Sequence, residues 1–420
     1  MTAERIQIQR DTIPDRTSPD RPPATGSPAS PAAPGGVLSA AAPSLASPAA
    51  AGGVMSAAAP GSPASLAAPG VPGNPLDAAA APGPDMAADW ARAVQILGSA
   101  REVCLACHIR PDADALGSML AVAHALRLRA GSSAQRVIAS FGDQPFEVPK
   151  ILRFLPGASL LSPPDSYPAQ PQVMVTFDAA SADRLGLLEA CAARAQELIV
   201  LDHHASNTRF GTLHLIDPAA AATAVLAHDL IAALGVPITR DIALGLYAGI
   251  VTDTGSFKYS TTSPRVHQIA AQLLATGIEP GAVAQELWDS APFGYLGMLS
   301  LVLGRAVLEP AAAAGHGLVW TTVSRADRAA YGLHYDVAES VIDMLRRTDE
   351  ADVAVVLKES DDGRWMVSSR SKGKVDVGRA CTRAGGGGHR SAAGFTAPGT
   401  VQEAMAGLRE YLADGADSRR

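Results

Sequence analysis

Four short apolar runs, each closing on a carboxylate or an imidazole, constrain the fold of this chain most. Glu102 to Cys107 closes on His108. Val173 to Phe177 closes on Asp178. Leu198 to Leu201 closes on Asp202-His203-His204, and Leu246 to Thr252 closes on Asp253, with a first half that also reads as helical. Arg136 to Ser140 is a further candidate strand without such an ending. Helical patterns separate these runs, and strands alternating with helices predict an α/β fold: a parallel sheet with helices on both faces.

A second unit begins near Leu308. Gly317 to Val323 reads as a strand and Ala338 to Arg347 as a helix. Val353 to Lys358 and Arg364 to Arg370 read as a hairpin around Asp361-Asp362-Gly363, and Gly385-Gly386-Gly387-Gly388-His389 reads as a loop. Tyr295 to Val307 reads as a connecting helix, and the stretch around Tyr335 as an ordinary loop. The expected layout is a tail over 1–85, a first domain over 86–290, a linker helix over 291–307 and a smaller α/β domain over 308–415. A cleft between the two domains is a common place for a small-molecule site. The tail is built from Ala, Pro, Gly and Ser, which bury too little apolar surface to offset the entropy of ordering, so it is expected to be disordered.

In an open parallel sheet, ligands bind at the carboxyl ends of the strands. Here those ends carry residues that are costly to bury unless paired or bound to metal. Brought to one edge they would repel one another, and divalent cations would resolve the repulsion. In His108-Ile109-Arg110-Pro111-Asp112-Ala113-Asp114, Pro111 stiffens the loop and the two carboxylates flank Ala113, so that they reach two ions. Asp114 also suits the start of the helix that follows. Arg370, just after a predicted strand, suits a phosphate or carboxylate, and the Gly385 to Gly388 loop would let backbone N–H groups approach an anion. By itself each of these also reads as a solvated turn or a plain flexible loop.

Composition limits the function. Lys plus Arg is 34 and Asp plus Glu 41, a formal net charge of −7. Such a chain is a poor candidate for gripping long nucleic acid, whose binding rests on neutralising many phosphates. A short nucleotide held by a few local cations and metal ions remains open. Cys104 and Cys107 form a C-x-x-C inside an apolar run, with no second pair at zinc spacing, and read as buried strand cysteines. No apolar run reaches the ~18 residues of a membrane span, and the charged N-terminus lacks a signal-peptide core. The expectation is a cytoplasmic protein without a membrane partner. His124 and His228 are read as packed or partly exposed, Arg265 and His267 as solvated, and His214 as a residue that no motif supports.

Together these residues resemble the DHH phosphoesterase superfamily, whose name matches Asp202-His203-His204. The pattern His-x-x-Pro-Asp-x-Asp-x-x-Gly-Ser runs from His108 to Ser118, and Gly385 to His389 with Ala392-Ala393-Gly394 resembles the associated DHHA1 substrate-binding domain. The arrangement is similar to the bifunctional oligoribonuclease and PAP phosphatase branch. The resemblance implies a two-metal hydrolase for short RNA and 3′-phosphoadenosine 5′-phosphate. His108 and Asp112 would bind one Mn²⁺, Asp114, His203 and Asp253 the other, and Asp178 would bridge. Asp202 would orient the histidines, and His204 would face the substrate phosphate or leaving oxygen. Arg370, Gly387, Gly388 and His389 would contact substrate. Oxygen and imidazole ligands suit Mn²⁺, or Mg²⁺, over structural zinc. The same machinery also suits cyclic di-AMP or its linear product. A manganese pyrophosphatase, a processive single-strand DNA exonuclease and a non-catalytic nucleotide sensor are the remaining, weaker alternatives. A homodimer is plausible on general grounds.

Overall fold

The computed structural model describes residues 84–131 and 135–414. The tail expected over 1–85 lies outside them, save for its last two positions, which open helix α1 (Pro84–Ser99). The first sheet has five parallel strands in the order β2-β1-β3-β4-β5. They are β1 (Glu102–Cys107), β2 (Arg136–Phe141), β3 (Val173–Phe177), β4 (Glu197–Asp202) and β5 (Leu213–Ile216). β1, β3 and β4 are buried along almost their whole length, so they read as unbroken apolar runs. Cys104 and Cys107 are fully buried free thiols of β1.

One face of this sheet packs under α1, α2 (Ala113–Ala130), α4 (Thr223–Ala233) and α5 (Arg240–Asp253), with Leu105, Cys107, Val175, Phe177 and Leu201 in that core. The other face is covered more thinly. The 3₁₀ segment Ala182–Leu188 and the single turn α3 (Glu189–Ala192) close over Cys104, Ala106, Met174 and Leu198. Helices α6 (Pro264–Leu274) and α7 (Pro280–Trp288) complete the unit.

One expectation is corrected here. Leu246 to Thr252 is not a strand: it belongs to α5, and Asp253 is that helix's last residue. Because α5 is buried on most sides, its apolar residues show no 3.6-residue rhythm and mimic a buried strand. The fifth strand is β5, which ends near Asp217 and is too short to stand out.

The second sheet is mixed, in the order β10-β11-β9-β8-β7-β6. Its strands are β6 (Val307–Glu309), β7 (Leu318–Val323), β8 (Val353–Glu359), β9 (Trp365–Ser371), β10 (Gly387–His389) and β11 (Ala392–Ala397). β7 and β8 are parallel and the other neighbours antiparallel. Helices α9 (Ala312–Gly315), α12 (Val377–Arg383) and α13 (Val401–Asp414) cover one face, and α8 (Gly294–Gly304), α10 (Arg325–Ala330) and α11 (Val341–Leu345) lie with the other. α8 is therefore more than a linker, since Met298 and Val302 are fully buried against Val319 and Val323.

The glycine run is not an open loop. Gly387–His389 forms edge strand β10 against β11. Gly388 has φ 132°, and a Cβ there would lie 2.6 Å from the Ala392 carbonyl. The glycines serve this close strand approach. Tyr335 likewise sits in a 3₁₀ turn, not a loop, with Arg328 5.2 Å above its ring.

Candidate metal centre

The strand order reverses between β1 and β3, and in such sheets the crevice beyond the carboxyl ends at that switch is the binding position. His108 and Asp112 follow β1, Asp178 follows β3, and Asp202, His203 and His204 lie at the end of β4. α2 and α5 bring in Asp114 and Asp253. These two helices cross so closely that a Cβ on Gly117 would lie 2.4 Å from the Gly245 carbonyl, and one on Gly249 would lie 2.6 Å from Asp114 Oδ1.

Asp178 stands at the centre, in left-handed backbone (φ 58°) that turns it off the end of β3. Its Oδ2 lies 3.5 Å from His108 Nε2, and its Oδ1 lies 3.4 Å from His203 Nε2. His108 Nε2 is also 3.7 Å from Asp112 Oδ2. His203 Nε2 is 3.8 Å from Asp114 Oδ2 and 3.2 Å from Asp253 Oδ2.

The ring tautomers follow from the other nitrogens. His108 Nδ1 lies 2.8 Å from the Ile109 carbonyl, and His203 Nδ1 lies 3.1 Å from the Ala220 carbonyl. A carbonyl only accepts, so each Nδ1 must carry the proton that it donates. In the neutral rings both Nε2 lone pairs then face carboxylates. His203 Nε2 is buried without a hydrogen-bond partner. Lone pairs facing buried carboxylates repel unless a cation stands between them, so this donor set fits divalent metal ions.

With no ion between them, protons on the histidines offset the carboxylates instead. Burial, with Asp178 and Asp253 nearby, pushes Asp114 well above the carboxylate range. Burial also raises Asp253. Burial opposes ionisation of Asp178, but His108, His204 and His203 outweigh it and hold that carboxyl well below its usual value. Burial alone would lower His108, whereas Asp112 and Asp178 lift it to about 10.

Supporting contacts come from residues that carried no sequence motif. Thr223 Oγ1 donates to Asp178 Oδ1 at 2.8 Å. The backbone N–H groups of Thr223 and Ala224 donate to the two oxygens of Asp114 at 2.6 and 2.8 Å. Asn207 Nδ2 donates to Asp202 Oδ2 at 2.5 Å. Asp202 Oδ1 accepts from the His203 backbone at 2.9 Å and from His204 Nδ1 at 2.7 Å. The residue that caps α2 is Asp112, whose Oδ1 accepts from the Ala115 N–H at 3.0 Å; Asp114, fully buried, stands in the first turn of that helix, as expected.

His389 reaches this group from the second sheet. Its ring stacks on His204 at 4.4 Å and lies 4.3 Å from His203. Burial, then His203 and His204, hold it down to about 3, so it is neutral. Among the described residues no hydrogen bond or ion pair joins Arg370, Gly387 or Gly388 to the His–Asp group; the Arg370 guanidinium donates to the Ser369 carbonyl at 3.1 Å. Among the other histidines, His228 sits between Asp229 and Gln272, His267 stacks on Phe257, and His214 lies by Asp89. Arg265 pairs with Asp229 at 2.5 Å. No helix among the described residues is long and apolar enough to cross a membrane.

A five-stranded parallel sheet with His and Asp at its carboxyl edge, joined to a mixed sheet that contributes a histidine, defines a class of metal-dependent phosphoesterases. The chain belongs to the DHH/DHHA1 phosphoesterase family and is a hydrolase of phosphate esters. Residues 102–250 match the DHH family N-terminal domain, and residues 321–414 match the DHHA1 domain. The chain is 32% identical over 315 residues to the bifunctional oligoribonuclease and PAP phosphatase NrnA of Thermus thermophilus, covering 74% of this chain and 90% of that relative. It is 25% identical over 344 residues to the cyclic-di-AMP phosphodiesterase GdpP of Geobacillus thermodenitrificans, covering 76% of this chain and 48% of that protein. The fold is similar to an exopolyphosphatase-related protein from Bacteroides fragilis, with TM-score 0.68 and 22% identity over 78% of this chain and 96% of that one.

Proposed function

We propose that this protein hydrolyses short oligoribonucleotides and 3′-phosphoadenosine 5′-phosphate, using two divalent ions, Mn²⁺ above all. The observation that carries the two-metal reading is Asp178, which turns one oxygen toward His108 and the other toward His203. His108, Asp112 and Asp178 would hold one ion, and Asp114, Asp178, His203 and Asp253 the other. When bound, such a pair lowers the pKa of water and stabilises charge on the attacking and leaving oxygens.

The chain's own groups supply the rest. Asp202 fixes His204 through Nδ1, leaving Nε2 to face the substrate. Burial would lower His204, but Asp202 and Asp178 raise it, a direction that suits a ring that would pass a proton to the leaving oxygen. His389, neutral and stacked on His204, would line the site from the second sheet. The substrate range rests on the likeness to the Thermus relative.

The test is turnover by metal-stripped protein with added Mn²⁺, followed by chromatography on three substrates. These are a short oligoribonucleotide, 3′-phosphoadenosine 5′-phosphate and cyclic di-AMP. Asp178→Ala is expected to lose the Mn²⁺-dependent turnover. Preferential hydrolysis of cyclic di-AMP would move the assignment to the signalling nucleotide, and no turnover by folded, metal-loaded protein would overturn it.

A further inference from the structure

Most of the large apolar side chains left exposed among the described residues come from one stretch, Trp288 to Leu308. α8 carries its centre. Met298 and Val302, on one side of this helix, are fully buried in the second unit. At roughly 3.6 residues per turn, Phe293 and Leu296 fall on the opposite side. They are 89% and 59% exposed. Leu301 lies on the shoulder between the two sides. The Tyr331 ring lies against Gly297, where a Cβ would come within 2.3 Å of it. Leu308, on edge strand β6, stands opposite Val319 of β7, which packs with Met298, so Leu308 is on the α8 side of the sheet. Trp288, the last residue of α7, leads into this surface along the chain. Trp288, Leu301, Leu308 and Tyr331 are each 39–45% exposed.

A helix that is apolar on every side belongs in an interior. From Ser290 to Gly304 the chain carries no charged residue, so α8 has no polar face to offer water. At roughly 200 Å² for a whole large side chain, the exposed parts of these six residues come to about 600 Å². That is the upper end of what a monomer usually leaves uncovered, about 300–600 Å². Ser300 and Gly304, also exposed on α8, bring the surface closer to the roughly 800 Å² that each partner buries in a standard interface.

We propose that two copies of this chain pair through this surface, with α8 of one protomer packed on α8 of its partner. Charge selects this occupant. A chain of net charge −7 repels its own copy, and the approach costs least where the surface carries no charge. An anionic lipid surface or a nucleic acid would instead call for a rim of free cations. Arg305, the residue that follows α8, is tied to Asp327. A twofold contact brings the same patch together from both sides, so one substitution changes the interface twice. The pairing depends on neither the substrate nor the metal ions.

The experiment measures the mass of the full chain by sedimentation equilibrium across the micromolar range. The native protein is expected to be a dimer there. Phe293→Glu sets a carboxylate from each protomer in the contact and is expected to weaken association at least hundredfold. Leu296→Glu is expected to act in the same direction. Both side chains are exposed, so the circular dichroism of each variant should stay native. Leu128→Glu, at an exposed leucine of α2, is the control and should leave association unchanged. A native protein that stays monomeric throughout the range would overturn the proposal, and its flotation with anionic vesicles would assign the surface to lipid instead. A dimer that survives both substitutions at α8, or that Leu128→Glu weakens equally, would also overturn it.

Discussion

At the scale of single residues, the site depends on side chains that hold other side chains. Asp178 keeps its charge among buried groups because Thr223 donates to one oxygen while histidines face both. Removing that hydroxyl leaves the carboxylate in place but frees its orientation. Thr223→Val is therefore expected to weaken Mn²⁺ affinity about 10–100-fold, the usual scale for such supporting contacts. Thr223→Ser should retain most of it. A metal titration followed by isothermal calorimetry checks this, and unchanged affinity in the valine variant would remove Thr223 from the site. His108, Asp112, Asp178, Asp202 and His203 were legible in the sequence because each adjoins a buried strand whose apolar run stops abruptly. Thr223 and Asn207 were not. Thr223 lies 45 positions from its partner Asp178, and Asn207 looks like any loop amide until Asp202 is seen beside it.

At the scale of elements, α2 and α5 act as one piece. They carry Asp114 and Asp253, and their separation is set by glycines facing backbone or carboxylate. A methyl group on Gly249 would meet Asp114 Oδ1 at 2.6 Å and the Ala224 Cβ at 2.9 Å, and the Asp114 carboxylate is held in place by the Thr223 and Ala224 N–H groups. Gly249→Ala is expected to destabilise the protein by about 1–3 kcal/mol, the usual cost of overpacking, and to weaken metal binding as well. Urea denaturation in chelator and in Mn²⁺ separates the two effects: the gain in midpoint on adding metal should shrink in the variant. An unshifted midpoint would mean that the helices part freely there. The same elements mark where pattern reading stops. A helix buried on most sides has no polar face to reveal its period, so α5 resembled a strand. A glycine-rich edge strand has no side chains to alternate, so β10 resembled a loop.

At the scale of the whole molecule, the net charge of −7 and the candidate metal centre make opposite demands on a ligand. Divalent ions held by the His–Asp group would favour phosphate there, while a chain of net negative charge is a poor candidate for gripping a long strand. A ligand that neutralises only two phosphates displaces few counterions. For single strands the slope of log affinity against log salt is about −0.7 per phosphate, so two phosphates predict a slope of about −1.4. Between 50 and 200 mM salt, that corresponds to about a sevenfold rise in KM. Measuring KM for a 5′-phosphorylated diribonucleotide across that range tests the prediction directly. A slope near −4 would require about six phosphates in contact. It would mean that a longer strand lies across the protein, and the reading of a site built for short substrates would fall. A slope near −1.4 for both a dinucleotide and a decanucleotide would place all the recognition at the metal centre, with added length contributing nothing to binding.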